Sequence, residues 1–106
     1  MARRVVWTEV ALNELREVAE HVAQSDSQEA CAIVSAALRE ADERVAFPES
    51  GAIVPELDSE LIREIIVKRA FRLIYEISDD RITILGFIRS KKRLVRKNID
   101  LRRGMN

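Results

Sequence analysis

Residues 62–88 read IREIIVKRAFRLIYEISDDRITILGFI, and this stretch decides the fold. Its Ile, Val, Phe and Tyr residues are typical of β-strands, and they form three runs that are separated by short polar breaks. Each break is short enough only for a tight hairpin, since a crossover to a parallel strand needs many more residues. The sequence therefore predicts three antiparallel strands, at Ile62–Lys68, Phe71–Ile77 and Ile82–Ile88, joined at Arg69–Ala70 and Asp79–Asp80.

The residues before this stretch predict a strand followed by a helical hairpin. Arg3–Trp7 is rich in β-favouring residues, and Thr8 can cap the helix that follows. Apolar residues then recur at helical spacing on both sides of the polar cluster Ser25–Ser27, which separates two amphipathic helices. Two capping pairs are open for the second helix: Ser25 with Gln28, and Asp26 with Glu29.

A proline marks the end of the second helix. Pro48 disfavours helical geometry at Phe47, and the chain then turns at Ser50–Gly51. Ala52–Val54 is predicted as a short strand, which Pro55 limits to the edge of a sheet. The sequence thus predicts an α+β fold that has an N-terminal strand, a two-helix hairpin and then a three- to four-stranded antiparallel sheet.

Composition indicates one small cytoplasmic domain. The 106 residues are 47% hydrophobic and 34% charged, which is an ordinary globular balance. No apolar run approaches the length of a membrane span and no signal-peptide pattern is present, so we expect no membrane association. Cys31 is the single cysteine, which suits a reducing compartment. We expect one domain over residues 1–92 and a basic C-terminal tail over residues 93–106.

The neutral net charge conceals a segregation of charge. Residues 90–106 contain seven Lys and Arg residues against one acid, Asp100, and therefore carry +6. Because the whole chain is neutral, the preceding 89 residues carry −6. A basic segment on an acidic body can contact nucleic acid or an acidic protein surface, and it can equally be a solvated tail.

Two-residue hairpin loops fix a predicted register. They pair residue 67 with 72, 63 with 76, 77 with 82, and 72 with 87. One face of the sheet is then almost wholly apolar and should lie under the helices: Phe71, Leu73, Tyr75, Ile77, Ile82, Ile84 and Ile88. The other face mixes apolar side chains with three arginines: Arg63, Ile65, Val67, Arg72, Ile74, Glu76, Thr83, Leu85, Phe87 and Arg89.

This second face is too apolar to be left in water. Antiparallel sheets with one solvated side alternate apolar and polar residues more regularly, and contiguous exposed apolar patches usually mark interaction sites. A second copy of the chain or another protein can cover the face, and we favour such a partner. The alternative is that the tail itself covers it, through Leu94, Val95, Ile99 and Leu101.

The order of these motifs resembles a known family. Trp7–Thr8 before a helical hairpin, the turn Pro48–Gly51, Ile62–Glu64, Phe71–Tyr75 and the acidic turn Ser78–Asp80 together resemble the ParE/RelE toxin superfamily, in its ParE-like branch, over about residues 4–95. The resemblance implies a toxin of a type II toxin–antitoxin operon, held inactive by a cognate antitoxin. ParE-like members poison DNA gyrase, whereas RelE-like members cleave mRNA on the ribosome.

The residues favour the gyrase activity over the nuclease activity. Arg72 matches an arginine of RelE-like nucleases, but their catalytic tyrosine near the C-terminus has no counterpart in residues 96–99. Tyr75 is expected in the core and His21 on the surface, and arginine is a poor proton carrier because it stays protonated. The chain departs from the ParE-like pattern at the end of the last strand, where such chains often carry a histidine and this one reads Phe87–Ser90.

We therefore expect no catalytic residue, no metal and no cofactor, and a gyrase-inhibiting toxin. The alternatives are a RelE-like mRNA endoribonuclease and a degenerate toxin that only binds its antitoxin. Nucleic acid would be reached only indirectly, through the antitoxin or the target.

The antitoxin is expected beside the helical hairpin and on the second face of the sheet. The equal alternative for Arg63 is a cross-strand ion pair with Glu76, and Glu76 can also serve as the partner of Arg72. The residues expected to bind the target or antitoxin are Arg63, Arg72, Glu76, Arg89, Lys91, Lys92 and Arg93. The apolar antitoxin-binding residues are expected to be Ile65, Val67, Ile74, Leu85 and Phe87.

Overall fold

A computed structural model describes residues 2–104 of the chain, which begin with a strand and a capped helix. Strand β1 spans Arg4–Trp7 and helix α1 spans Glu9–Ala23. The Thr8 hydroxyl accepts a hydrogen bond from the Ala11 backbone N–H at 3.1 Å and donates one to the Ile84 carbonyl at 2.9 Å. The predicted cap therefore starts α1 and also ties it to the sheet.

Helix α2 spans Ser27–Ala46 and packs through small residues. Its cap is Asp26, whose carboxylate accepts a hydrogen bond from the Glu29 N–H at 3.0 Å, which decides between the two predicted pairs. The helix ends directly before Phe47–Pro48, as predicted, and a 3₁₀ turn spans Pro48–Ser50. Its buried face consists mainly of Ala30, Ile33, Ala36, Ala37 and Ala41.

Four strands follow the helices: β2 Ala52–Ile53, β3 Ile62–Val67, β4 Phe71–Ile77 and β5 Arg81–Arg89. With β1 they form one mixed sheet in the order β1-β5-β4-β3-β2. The strands β2 to β5 pair antiparallel with one another, whereas β1 runs parallel to β5. A last short helix, α3, spans Ile99–Arg102, and the predicted α+β fold is confirmed.

The predicted register between β3 and β4 is wrong by one residue. Val67 pairs with Phe71, so the turn has three residues, Lys68–Ala70, instead of two. Lys68 and Arg69 have φ angles of 54° and 62°, which is left-handed backbone that favours glycine and is uncommon for other residues. A one-residue slip moves every side chain of a strand to the opposite face. Residues 63, 65 and 67 therefore face the helices.

A β-bulge changes the faces of β5. The predicted pairing of Ile77 with Ile82 is confirmed, but the register shifts between Ile74 and Tyr75. Arg72 consequently pairs with Ile88 and not with Phe87. Phe87 joins the core under the helices, whereas Ile88 lies on the second face, which is the reverse of the prediction.

The main core lies between the helical hairpin and the sheet. Trp7 packs against this core half-buried, whereas Phe47 is 67% exposed at the end of α2. The large buried side chains of the main core are Leu15, Ile33, Val67, Phe71, Leu73, Tyr75, Ile77, Ile82, Ile84 and Phe87.

A second core covers the other face of the sheet. Segments on both sides of the strands supply it: the loop between β2 and β3, and the chain after β5. The prediction of an open apolar face that awaits a partner is therefore wrong, since the chain covers this face itself. The second core consists of Val54, Leu57, Ile62, Ile74, Leu85, Ile88 and Leu94, with Ile99 packed against it.

A buried ion-pair network fastens these covering segments to the sheet. The Arg72 side chain, 6% exposed, donates two 2.7 Å hydrogen bonds to the Glu56 carboxylate and one of 2.7 Å to Glu64. It also donates to the Lys92 carbonyl at 2.9 Å, and the Leu94 N–H donates to Glu56 at 2.8 Å. One guanidinium on β4 thus holds both the loop and the C-terminal segment.

Two further arginines fasten the C-terminal helix. Arg102 donates to the Glu14 carboxylate of α1 at 2.8 and 3.1 Å, and to the Leu85 carbonyl at 3.2 Å. Arg103 donates to both oxygens of Glu76 at 2.8 and 2.6 Å. The described part of segment 93–106 therefore packs along the second face, and the division between a domain at residues 1–92 and a tail stays a prediction.

The single tyrosine closes the turn that leads into β2. The Tyr75 hydroxyl donates to the Pro48 carbonyl at 2.6 Å and accepts from the Gly51 N–H at 3.0 Å. A Cβ on Gly51 would lie 2.5 Å from that hydroxyl oxygen, so the close approach requires glycine. Tyr75 is fully buried, as predicted for a core residue.

Removal of the tyrosine hydroxyl tests this turn. We expect Tyr75→Phe to lower the free energy of unfolding by about 1–3 kcal/mol, because it leaves a buried N–H and a carbonyl without partners. Urea unfolding measures the change, and amide hydrogen exchange at Gly51 should accelerate more than exchange in α1. An unchanged midpoint and unchanged exchange would show that the turn does not depend on this hydroxyl.

The Arg72 network predicts a loss of stability in acid. Hydrogen bonds from the Arg72 side chain are the largest cause that lowers the pKa of Glu56, from 4.5 to about 2. Because the folded state has the lower pKa, this stabilisation is complete above the unfolded value near 4.5 and is lost as pH falls towards 2. We expect a loss on the order of 2 kcal/mol over that window.

The variant Glu56→Gln isolates this contribution. Unfolding free energies measured from pH 6 to pH 2 should fall less steeply in the variant than in the parent chain, because the titrating carboxylate is gone. Glu49→Gln, at an exposed position, is the matched control and should keep the parent slope. Parallel curves for all three chains would contradict the assignment.

Candidate functional site at the basic end of the sheet

Basic side chains collect at one end of the sheet. The turn Lys68–Ala70 lies beside the exit of β5, because Phe71 pairs with Arg89 and the Ser90 N–H donates to the Ala70 carbonyl at 2.8 Å. The exposed cations at this place are here called the basic end: Lys68, Arg69, Arg89, Lys91, Lys92 and Arg93.

Few carboxylates neutralise the basic end. Lys68 forms an ion pair with Glu29 at 3.4 Å. The nearby acids Glu56 and Glu64 are both bound to Arg72. Among residues 2–104, no ion pair is formed by the other five cations of the basic end. This end is therefore a region of positive potential on a chain with no net charge.

An aromatic stack positions Arg89. Its guanidinium carbon lies 5.4 Å from the centroid of the Phe71 ring. That ring stacks on Phe87, with centroids 5.0 Å apart and an angle of 21° between the planes. A cation–π contact at an exposed site is worth about 0.5–1 kcal/mol. Arg89 is thus exposed to solvent but oriented on the helix side of the sheet.

A groove of about 340 Å³ runs between α1 and the end of β5, and is here called the helix groove. Residues 14, 17, 18 and 21 lie on one side of α1 and form one wall, since residues three and four apart share a helix face. The groove is lined by Glu14, Glu17, Val18, His21, Phe87, Ile88, Arg89 and Lys92. One wall is thus acidic, the other basic, and the floor is apolar.

A second groove of about 480 Å³ lies on the opposite face, and is here called the sheet groove. Arg72 lies in its floor with its charge bound by Glu56 and Glu64. Lys92 lines both grooves, so the two meet at the basic end. The other lining residues are Pro55, Ile66, Ser90, Lys91 and Arg93.

The structure brings together four of the seven charged residues that the sequence singled out: Arg89, Lys91, Lys92 and Arg93. The other three act within the fold. Arg63 donates to the carbonyls of Glu60, Glu49 and Gly51 at 2.9, 3.3 and 3.2 Å. The alternative pairing of Glu76 with Arg63 or Arg72 is wrong, because Glu76 binds Arg103.

The five apolar residues predicted as an antitoxin-binding face lie inside the protein. Val67, Ile74, Leu85 and Phe87 are at most 2% exposed, and Ile65 is half-buried against the main core. They also belong to different layers: Ile65, Val67 and Phe87 to the main core, and Ile74 and Leu85 to the second core. Contact of Ile74 or Leu85 with an antitoxin stays a prediction, and it requires the covering segments to move.

Sequence reasoning missed three residues of this region. Lys68 and Arg69 lie in the three-residue turn before Phe71, and Phe71 pairs with Arg89. The sequence signal for them was their position just before a strand that pairs with the last strand. His21 is exposed on α1, as predicted, yet it lines the helix groove together with Arg89 and Lys92. Its distance in sequence from the arginines concealed this proximity.

The chemistry available at the basic end is charge binding. Lys and Arg stabilise anions but stay protonated near neutral pH. Histidine, the most frequent general acid or base in enzymes, lines the two grooves once, at His21. In the described part of the chain, no three His, Cys, Asp or Glu side chains are arranged to hold a metal ion. No helix between residues 2 and 104 has the length and apolarity to cross a membrane.

Comparison with known proteins assigns the fold to a family. No curated protein matches the sequence significantly. A solved structure described as the chromosomal ParDE toxin–antitoxin system from P. aeruginosa superposes with a TM-score of 0.68 at 19% identity, covering 83% of this chain and 96% of that one. That identity supports the fold alone. The sequence itself matches the family described as ParE toxin of the type II toxin–antitoxin system parDE over residues 5–94, so the chain belongs to the ParE toxin family.

Proposed function

We propose that this ParE-family toxin inhibits DNA gyrase by binding it through the basic end, and that a cognate antitoxin neutralises the toxin by covering the same surface in the cytoplasm. The observation that carries the proposal is the set of five exposed cations that form no ion pair with residues 2–104 and lie at one end of the sheet, in the turn before β4, at the end of β5 and in the chain that follows it. Uncompensated charge of one sign steers binding to a partner of the opposite sign.

Inhibition by binding suits the state of Arg72. A nuclease would need this arginine free to stabilise the charge of a phosphorane, but its side chain is 6% exposed and donates hydrogen bonds to Glu56, Glu64 and the Lys92 carbonyl. The pKa of the Arg72 guanidinium is raised, chiefly by its hydrogen bonds with Glu56. Arg72 is therefore a structural cation rather than a catalytic group.

The antitoxin that fits this surface has a mixed chemistry. Carboxylates would face Arg89, Lys91 and Arg93 at the rim, and apolar side chains would reach the floor of the helix groove beside Val18 and Ile88. Such a pairing of a desolvated apolar centre with a charged rim is typical of specific protein interfaces. The acidic residue Glu17 in the other wall favours a basic antitoxin side chain opposite it.

One observation favours the alternative activity, a metal-free mRNA endoribonuclease. His21 lines the same groove as Arg89 and Lys92, so a proton carrier and charge-stabilising groups share one cavity. The buried Tyr75 hydroxyl is already bonded to Pro48 and Gly51 and is not available as a second proton carrier. The second proton carrier of this alternative would be a carboxylate of the groove, and since Glu14 is bound to Arg102, that role would fall to Glu17.

Loss of the positioned cations should abolish inhibition of gyrase. We expect the parent chain to block supercoiling of relaxed plasmid, and Arg89→Ala with Lys92→Ala to raise the inhibitory concentration at least about tenfold, through loss of charge-assisted contacts. A gel assay of supercoiling measures this. Arg16→Ala with Arg39→Ala removes two exposed cations elsewhere and should leave inhibition unchanged. A parent chain that never blocks supercoiling would refute the gyrase assignment.

Cleavage of ribosome-bound mRNA provides the opposing test. We expect intact message in the presence of the purified chain, because Arg72, the residue that matches the nucleases, is bound by Glu56 and Glu64. Primer extension detects any cut. If message is cleaved, and His21→Gln lowers the cleavage rate by the roughly 10²-fold or more expected for a general acid or base, the endoribonuclease replaces gyrase inhibition.

A further inference from the structure

We propose that the basic end binds the phosphate backbone of double-stranded DNA directly, so that the toxin contacts the DNA duplex on which its target acts. The role at the target rests on the proposed function, whereas the DNA contact itself does not. This goes beyond the sequence-based expectation that nucleic acid is reached only through a partner protein.

The first argument is the position of the free charge. Seven basic residues follow Ser90. Two of them are bound in ion pairs, Arg102 with Glu14 and Arg103 with Glu76. Asp100, the one acid of this segment, is bound to Arg103. The remaining five residues are Lys91, Lys92, Arg93, Arg96 and Lys97. Together with Arg89 they make six exposed cations, in which Arg96 and Lys97 continue the basic end along the chain.

The second argument is that this charge is held in place. The Lys92 carbonyl accepts from Arg72, the Lys92 N–H donates to the Arg89 carbonyl at 3.0 Å, and the Leu94 N–H donates to Glu56. Bonds on both sides thus fix the backbone of residues 91–94. A solvated tail would lose conformational freedom on binding a phosphate backbone, whereas this segment is already ordered.

The third argument concerns which nucleic acid fits. Proteins that bind single strands stack the bases on exposed aromatic side chains. The aromatic residues nearest the basic end, Phe71 and Phe87, are 3% and 1% exposed and stack on each other. Arginine and lysine without exposed aromatic rings are suited to the phosphates of a duplex, whose bases are already stacked.

The composition of the surface also suits the phosphates of DNA, a ligand that these cations can bind in addition to the protein partners proposed above. Contacts of Lys and Arg with phosphates supply essentially all of the affinity of non-specific DNA binding. Three of the six free cations are lysines, and residues 91–93 are three exposed basic residues in succession. Binding of phosphates by such a segment requires no apolar anchor and no base-specific contact.

The test is fluorescence anisotropy of the full chain with a labelled duplex of about 20 base pairs, in the absence of gyrase. The logarithm of affinity should fall linearly with the logarithm of salt concentration, with a slope of about −3 to −5 for four or five phosphate contacts. Lys91→Glu with Arg93→Glu should weaken binding at least tenfold and reduce the slope by about two.

The matched control is Arg16→Glu with Arg39→Glu, which makes the same change of charge at exposed positions on α1 and α2. It should leave DNA affinity within about twofold of the parent value, with circular dichroism confirming that both variants are folded. Equal weakening in both variants would show an effect of net charge alone and would overturn the proposal. So would tighter binding to a single strand of the same length, or binding to polyglutamate but not to the duplex.

The two proposals fail separately. A chain that binds duplex DNA but does not block supercoiling refutes the gyrase assignment and keeps the DNA contact. A chain that blocks supercoiling without affinity for DNA in low salt refutes the DNA contact and keeps gyrase as the target.

Discussion

The structure depends on one buried guanidinium group that is held between two carboxylates. Arg72 reaches Glu56 in the loop after β2, Glu64 on β3 and the Lys92 carbonyl after β5, and so joins parts of the chain that lie 16, 8 and 20 residues away. Breaking such a pair leaves an unpaired buried charge, which costs far more than the intact pair contributes. The same bonds close the second core and fix the backbone of the basic end, so folding and surface charge are coupled.

The positions of the helices and strands could be predicted from sequence, because they follow from local chemistry. Thr8 and Asp26 cap the helices, Pro48 follows the end of α2, and the strand Phe71–Ile77 agrees residue by residue. The faces of β3 and of the end of β5 could not be predicted. They depend on non-glycine residues in left-handed backbone at Lys68 and Arg69 and on a bulge beside Ile74, and neither carries a signal in the residue types.

The candidate site was predictable only in part, for a related reason. The run Lys91–Arg93 and Arg89 stand out by charge density, and the structure places them together where the two grooves meet at Lys92. The partners of Arg72 and Glu76 could not be inferred, since Glu56 and Arg103 come from segments whose location depends on long-range packing. The apolar residues predicted on the second face of the sheet correctly indicated that this face must be covered. Only the three-dimensional structure distinguishes cover by the chain's own C-terminal segment from cover by a partner protein.

The second core has a consequence for folding of the protein. Leu94 and Ile99 complete it, although the strands that they cover end at Arg89. In any folding intermediate in which the strands have paired before residues 94–99 dock, Ile74, Leu85 and Ile88 lack part of their cover, and such transiently exposed apolar surface promotes aggregation. Rapid docking of the segment after β5 therefore protects the chain from self-association as well as completing its core.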